Sequence, residues 1–345
     1  MLNSDKFRAL LKGIAKKLIQ HRKYAAQTGG TNDSRYCYSV WLRHLVFNEA
    51  SGIRNFKGTV AELGPGDSIG IGLAALLTGF ENYYALDVYK YWDAEKNLKI
   101  FDELVTLFKK REPVPNDSEF PRVTPGLEDY SFPHHILTPE LLDRTLAPER
   151  IERIRRELQQ LDVQATENKM IHYFIPWNDE SVMEAGSVDF IFSQAVLQYV
   201  DDLDETYHCM KRWLKPGAVM SHSIDFTSHG ITQNWNGHWS FSSFEWKLAH
   251  GNNKIILNRA PYSQYVALNQ KHNFGLVNCM DYIKESRITT KDLHKNFRSL
   301  TKEDLRTSVS VMISKKNMII SKLIFLSSSF ESTLGLTLES GAVLI

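Results

Sequence analysis

Thr59-Val-Ala-Glu-Leu-Gly-Pro-Gly-Asp-Ser-Ile-Gly70, followed by Tyr83-Tyr-Ala-Leu-Asp87, are the stretches on which the fold turns. An apolar, β-branched run ends in a glycine turn and passes directly into a helix of small residues over 71–77, the strand–turn–helix opening of a nucleotide-binding βαβ unit. Gly64 and Gly66 let the backbone come close to a ligand. A second apolar run ends at Asp87, roughly 20 residues beyond the turn, where a doubly wound fold places the acid that holds a ribose 2′-hydroxyl. These features imply an adenosine-containing cofactor. The third glycine of G-x-G-x-x-G falls on Ile69, whose branched side chain opposes the close helix–strand packing of dinucleotide folds and so argues against NAD.

Upstream, the loop-forming Gln27-Thr-Gly-Gly-Thr-Asn-Asp33 leads into helical spacing over 36–48. Residues 4–25 read as a further helix, with Phe7, Leu10, Leu11, Ile14 and Leu18 on one face and Lys6, Arg8, Lys12, Lys16, Lys17, Arg22 and Lys23 over the rest. That distribution suits either an anionic lipid surface or a solvated helix packing its apolar stripe on the body or on another subunit. Downstream, roughly 80 residues separate Asp87 from the next strand at 170–174, where one crossover helix would suffice. This insertion, 90–165, opens with a helix at 93–111 and runs through Ser131-Phe-Pro-His-His135 to a charged helix at 148–161. His134 and His135 could reach an acceptor site; ordinary surface histidines are the plainer reading.

A fourth strand, Ser187-Val-Asp-Phe-Ile-Phe-Ser193, precedes Gln194-Ala-Val-Leu-Gln-Tyr-Val200 and a helix through Trp213. Lys215-Pro216-Gly217 then turns the chain into a fifth strand at 218–224, and β-rich segments follow at 274–282 and 308–314.

Glu62-x-Gly64-x-Gly66-x-Ser68 resembles the first motif of class I S-adenosylmethionine-dependent methyltransferases, with Ser68 standing where that family usually has a third glycine. The run from Ser187 to Gly217 resembles the family's later motifs, so the likeness covers roughly residues 59–225. The resemblance implies an α/β fold: a doubly wound, mostly parallel seven-stranded sheet with an antiparallel final strand. It divides the chain into an N-terminal helical segment (1–50), a methyltransferase domain (51–315) and a C-terminal tail (316–345). It further implies S-adenosyl-L-methionine as cofactor, held by Glu62, Gly64, Pro65, Gly66, Ser68, Asp87, Val88, Ser193 and Gln194. Pro176 and Trp177 fall where the family covers the adenine ring, and Tyr38 and Arg43 lie on the helix that closes the cofactor's methionine end. Asp225-Phe-Thr-Ser-His229 and the downstream Asn258-Arg259 resemble a branch acting in bacterial polysaccharide or secondary metabolism.

A net charge of +1 over 345 residues provides no global field for nucleic acid, and none is expected as a partner. Cys37, Cys209 and Cys279 lie too far apart for a disulfide framework or a cysteine zinc site, so no metal is expected and a reducing cytoplasm fits best. No run reaches the roughly 18 apolar residues of a membrane span. Oligomerisation stays open.

Doubly wound folds keep ligands at the C-terminal ends of parallel strands, which puts Asp225 and His229 in the reaction zone. His229 is the expected general base and Asp225 its orienting group. Trp235, His238, Asn258 and Arg259, from the loop at 226–262 and just beyond, are expected at the acceptor, with Arg259 gripping an anionic or hydroxyl-rich substrate. That loop and the insertion are expected to wall the acceptor pocket. The acceptor is expected to be a small molecule or saccharide offering a hydroxyl or amine. The competing reading is a non-catalytic protein of the same fold that binds the same cofactor or serves as a scaffold.

Overall fold

The computed structural model describes residues 2–18, 30–91, 93–160, 169–177, 180–253 and 255–318. In chain order the elements are α1 (Leu2–Leu18), α2 (Ser34–Ala50), β1 (Gly58–Leu63), α3 (Gly70–Leu77), β2 (Phe80–Leu86), α4 (Ala94–Lys110), α5 (Pro139–Thr145), α6 (Pro148–Gln159) and β3 (Ile171–Phe174). They continue as β4 (Val188–Gln194), α7 (Leu203–Trp213), β5 (Leu214–Asp225), α8 (Ser243–His250), α9 (Tyr262–Lys271), β6 (Phe274–Ile283), α10 (Lys302–Arg306) and β7 (Thr307–Lys316). The expected extension of the first helix to residue 25 and nearly all of the tail at 316–345 lie outside the described residues.

The strands form one seven-stranded sheet in the order β3-β2-β1-β4-β5-β7-β6. β1 to β5 pair in parallel, while β7 runs antiparallel to both β5 and β6. The order reverses beside β1: β2 lies on one flank and β4 on the other, which opens a crevice at the ends of those strands. Strand periodicity divides the core in two. Val60, Phe190 and Phe192 turn to α2, α3 and α4, whereas Ala61, Leu63 and Ile191 turn to α7 and α9.

Local chemistry sets the helix ends. Asp33 accepts from the Arg35 and Tyr36 N–H groups at the start of α2, and Asp93 accepts from the Lys96 N–H at the start of α4. Pro139 and Pro148 open α5 and α6 in the first turn, where a missing N–H costs nothing. Lys215-Pro216-Gly217 is not the turn before the fifth strand that was expected, because β5 already begins at Leu214. It forms an irregularity inside β5, whose register against β4 shifts between Val188 and Phe190, with Gly217 at φ +76°.

Two expectations are corrected by the packing. The insertion is welded into the core. Tyr38 gives its hydroxyl to the Glu112 carbonyl at 2.7 Å, and Arg43, fully buried, donates to Asp117 Oδ1 and to the Pro115 and Val123 carbonyls at 2.7–2.8 Å. Thr124 Oγ1 lies 2.6 Å from Ser223 Oγ on β5, and the Tyr282 hydroxyl accepts from the Gly126 N–H at 2.6 Å.

The second correction concerns α1. Of its apolar stripe Leu10 packs on the body, whereas Phe7, Leu11 and Ile14 are exposed. Asp5, Ala9 and Gly13 face the body, because α1 lies so close to α8 that a Cβ on Gly13 would stand 2.0 Å from the Leu248 carbonyl oxygen. Asp5 accepts from the Gln233 N–H and Lys6 pairs with Glu245 at 2.8 Å, which fixes the helix's rotation.

Candidate functional site

The glycine turn sits at the C-terminal end of β1 with Gly64 at φ +64° and Gly66 at φ +76°, backbone that side chains oppose. A Cβ on Gly64 would meet the Val196 side chain at 2.7 Å. The Gly66 N–H donates to Asp87 Oδ2 at 3.3 Å, so the carboxylate at the end of β2 and the turn at the end of β1 border the same crevice. Asp87 also accepts from the Val88 and Tyr89 N–H groups at 2.7 and 3.3 Å. Burial pushes its carboxyl above the ordinary value against those bonds. Val88 itself is exposed and Pro65 is buried.

Glu62 lies below the turn. Its carboxylate accepts from the Tyr83 hydroxyl at 2.5 Å, and burial pushes its pKa up to about 8. The Tyr83 ring occupies the space a Cβ on Gly72 would need. Ser68 is spent locally: its hydroxyl donates to the Thr31 carbonyl and accepts from the Gly70 N–H at 3.1 Å.

The ends of β4 and β5 carry a buried polar ladder. Ser193 Oγ lies 2.8 Å from His222 Nδ1, and Gln194 Oε1 lies 3.1 Å from His44 Nε2. Ser221 Oγ lies 2.8 Å from His44 Nδ1. Burial holds His44 down to about 4 and His222 down to about 3, so both rings are neutral near pH 7.

Next to this ladder, Asp225 at the end of β5 faces His229, with Oδ2 3.2 Å from Nε2, and its Oδ1 accepts from the Thr227 N–H at 2.7 Å. Burial raises the carboxyl, but the bonds and charge supplied by His229 and Thr227 outweigh it and leave Asp225 below its usual value. The other imidazole nitrogen, Nδ1, lies 2.5 Å from the Tyr199 hydroxyl. Burial raises Tyr199 to about 12, so its hydroxyl keeps its proton and can donate to Nδ1, in which case Nε2–H is the atom that donates to Asp225. Ala195 and His229 both adopt positive φ, +54° and +48°, so the backbone is strained at this edge.

Several expected contacts go elsewhere. Tyr38 and Arg43 hold the insertion, and their side chains are not offered to the cofactor's methionine end. Trp177 packs its ring on Trp213 at 6.0 Å inside the core and does not form an aromatic wall; Pro176 beside it is exposed. His134 and His135 are exposed, and His135 lies 3.5 Å from Glu49 of α2. Asn258 braces the turn after β4, donating to the Leu197 and Val200 carbonyls at 2.8 and 2.9 Å.

Arg259 donates to the His238 and Phe241 carbonyls and lies over the Phe297 ring at 4.8 Å, so its guanidinium is used internally. Burial lowers its pKa to about 10. The Trp235 indole donates to the Glu285 carbonyl at 3.1 Å. His238 is buried between Trp239 and Trp246, lowered to about 3 by burial, and its Nδ1 has no partner among the described residues.

Tyr199 is the residue sequence reasoning passed over. It stood in the quoted run after the fourth strand, and a hydroxyl-bearing side chain at that strand end was the available signal. Among the described residues no group of acids, histidines and cysteines is arranged to hold a metal ion, and no helix is long and apolar enough to cross a membrane.

Residues 144–221, from the last residues of α5 into β5, match the sequence model of a family described as "Methyltransferase domain". A search of curated proteins gave no match. Among solved structures, the chain is similar to an SAM-dependent methyltransferase from Methanosarcina mazei, at 14% identity and a TM-score of 0.40 over 76% of this chain and 94% of that one. It is also similar to an S-adenosylmethionine dependent methyltransferase from Mesorhizobium loti, at 10% identity and a TM-score of 0.38 over 79% of this chain and 97% of that one. A third likeness is to phosphoethanolamine N-methyltransferase 2 from Haemonchus contortus in complex with S-adenosyl-L-methionine, at 12% identity and a TM-score of 0.40 over 88% of this chain and 60% of that one. At such scores the likenesses add nothing to the chemistry of the site. Residues 144–221 thus match a methyltransferase domain, and the glycine turn at the end of β1 is compatible with that class.

Proposed function

We propose that the protein methylates a hydroxyl or amine of a small molecule or saccharide, using His229 as general base. The observation that supports this most is the Tyr199–His229–Asp225 chain at the end of β5, across the sheet edge from the Gly66–Asp87 contact. The crevice has the features the cofactor needs: glycines at positive φ, a backbone N–H, and an acceptor carboxylate for ribose. Gly64, Pro65, Gly66, Asp87 and Val88 would hold it, with Ser193 and Gln194 at the end of β4 toward the reacting group. Bound there, it supplies an electrophilic methyl group.

The chain's own work is positioning and proton removal. Asp225 fixes the imidazole with Nε2 protonated, which leaves Nδ1 as the basic nitrogen. Tyr199 satisfies that nitrogen in the resting protein, and an acceptor hydroxyl or ammonium takes over the contact on binding. When the proton leaves the acceptor, the imidazolium is stabilised by the adjacent carboxylate. A branch acting on polysaccharide or secondary-metabolite precursors supplies the acceptors to test first. Incubation with methyl-labelled S-adenosylmethionine and such a panel should label one acceptor class, and His229→Ala should abolish the labelling while leaving S-adenosylhomocysteine binding intact. Cofactor binding without labelling of any acceptor would favour the non-catalytic reading.

A further inference from the structure

α1 turns part of its apolar stripe away from the body, while Leu10 packs on the small core around Trp246. Phe7, Leu11 and Ile14 are spaced so that they fall on one line of the helix, and they are 62%, 49% and 38% exposed. The opposite line, Asp5, Ala9 and Gly13, is buried against α8 and the Gln233 backbone. α8 runs alongside and carries Phe244, 76% exposed, one residue before Glu245, the partner of Lys6. Arg8, Lys12, Lys16 and Lys17 on α1 and Lys247 on α8 are exposed as well. The acids nearby are already engaged: Asp5 with the Gln233 N–H and Glu245 with Lys6.

An outward apolar line flanked by Arg8 on one side and Lys17 on the other, with Lys12 and Lys16 farther round toward α8, is the arrangement that lies in the headgroup region of a bilayer, with rings and aliphatic chains below the phosphates and basic side chains reaching up to them. We propose that the α1–α8 face docks the protein on an anionic lipid surface. Charge complementarity selects this occupant over a second copy, because pairing two such faces about a twofold axis would bring their flanking Arg8 and Lys17 side chains together. Ala9 of α1 also shares a small core with Phe241, Trp246 and Leu257, against which Tyr199 and Ile231 pack, so a docked α1 would hold the loop bearing His229 next to the membrane.

The test is co-sedimentation of the full chain with phosphatidylcholine vesicles, with and without phosphatidylglycerol. Binding should require phosphatidylglycerol and weaken with added salt, and Phe7→Ser combined with Leu11→Ser should lower it by about tenfold or more. Unchanged S-adenosylhomocysteine affinity would show that this doubly substituted chain is folded. Arg8→Glu with Lys17→Glu should remove the preference for the anionic lipid. Failure to sediment with either vesicle, or binding untouched by the Phe7 and Leu11 changes, would overturn the proposal. So would a dimer in sedimentation velocity that those changes dissociate, or cross-linking of Leu11→Cys to residues 319–345 in the lipid-free chain. These readouts do not involve methyl transfer and stand or fall separately from it.

Discussion

Tyr199 holds its hydroxyl 2.5 Å from His229 Nδ1, the one imidazole nitrogen that Asp225 does not occupy. Tyr199 therefore stands on the basic atom and would be displaced, or would relay the proton, when an acceptor arrives. His229→Ala should lower turnover by about 10²–10⁴-fold at unchanged cofactor affinity. Tyr199→Phe should cost less, about tenfold, and act on kcat/KM, which reports the free enzyme, because the resting imidazole loses a donor. Steady-state kinetics across pH checks both, and a Tyr199→Phe profile identical to the parent would remove the tyrosine from the mechanism.

Gly66→Val should abolish cofactor binding. Its φ of +76° is strained for any branched residue, and the N–H directed to Asp87 would move with it. Asp87→Ala should weaken S-adenosylhomocysteine binding by removing the ribose acceptor and loosening the turn at once. Titration calorimetry measures both. Full affinity in the Asp87 variant would mean that the ribose is held elsewhere.

Arg43→Ala should act on stability. It would strip the Pro115 and Val123 carbonyls and Asp117 of their shared donor inside the core, at a cost of about 3 kcal/mol. Thermal unfolding should show a lowered midpoint, and the surviving folded fraction should bind cofactor normally. A large loss of affinity at unchanged stability would restore Arg43 to the cofactor site.

Glu62 provides a pH signature. Its carboxyl, ordinarily near 4.5, is raised to about 8 in the folded chain. The folded state therefore holds a proton that the unfolded state has released, and this contribution to stability is full below about 4.5 and lost as pH rises through 8. Glu62→Gln, which keeps an acceptor for Tyr83 without the ionisation, should flatten that decline. Urea unfolding of both proteins at pH 5 to 9, about one unit apart, makes the comparison; parallel curves would place the proton elsewhere.

Much of the fold was readable locally. The β1 turn, Asp87, the paired strands near the C-terminus and the helices starting at Asp33, Asp93 and Pro148 are all written in short-range signals: glycines, caps, first-turn prolines and two-residue alternation. What escaped depends on partners distant in the chain. Arg43 and Asn258 were expected at ligands from the family resemblance, and only the folded chain brings the 115–125 and 197–200 carbonyls to them. The rotation of α1 depended on Gly13, which reads as a mere weakness in a helix until Leu248 is set against it. Lys215-Pro216-Gly217 has the composition of a turn, but it sits as an unpaired bulge inside β5, between Leu214 and Val219, which pair with Val188 and Phe190 of β4.

The slot between β5 and β6 is filled by β7, the last of the described strands to be synthesised. While a ribosome is still making residues before Thr307, β5 presents an open row of unpaired amides and carbonyls, and β6 has no neighbour in the sheet. The parallel half of the sheet can assemble during translation, but its far edge stays adhesive until the end. A ribosome stalled just short of β7 should therefore display a chain that chaperones retain, and release of some ten further residues should be enough to let it go.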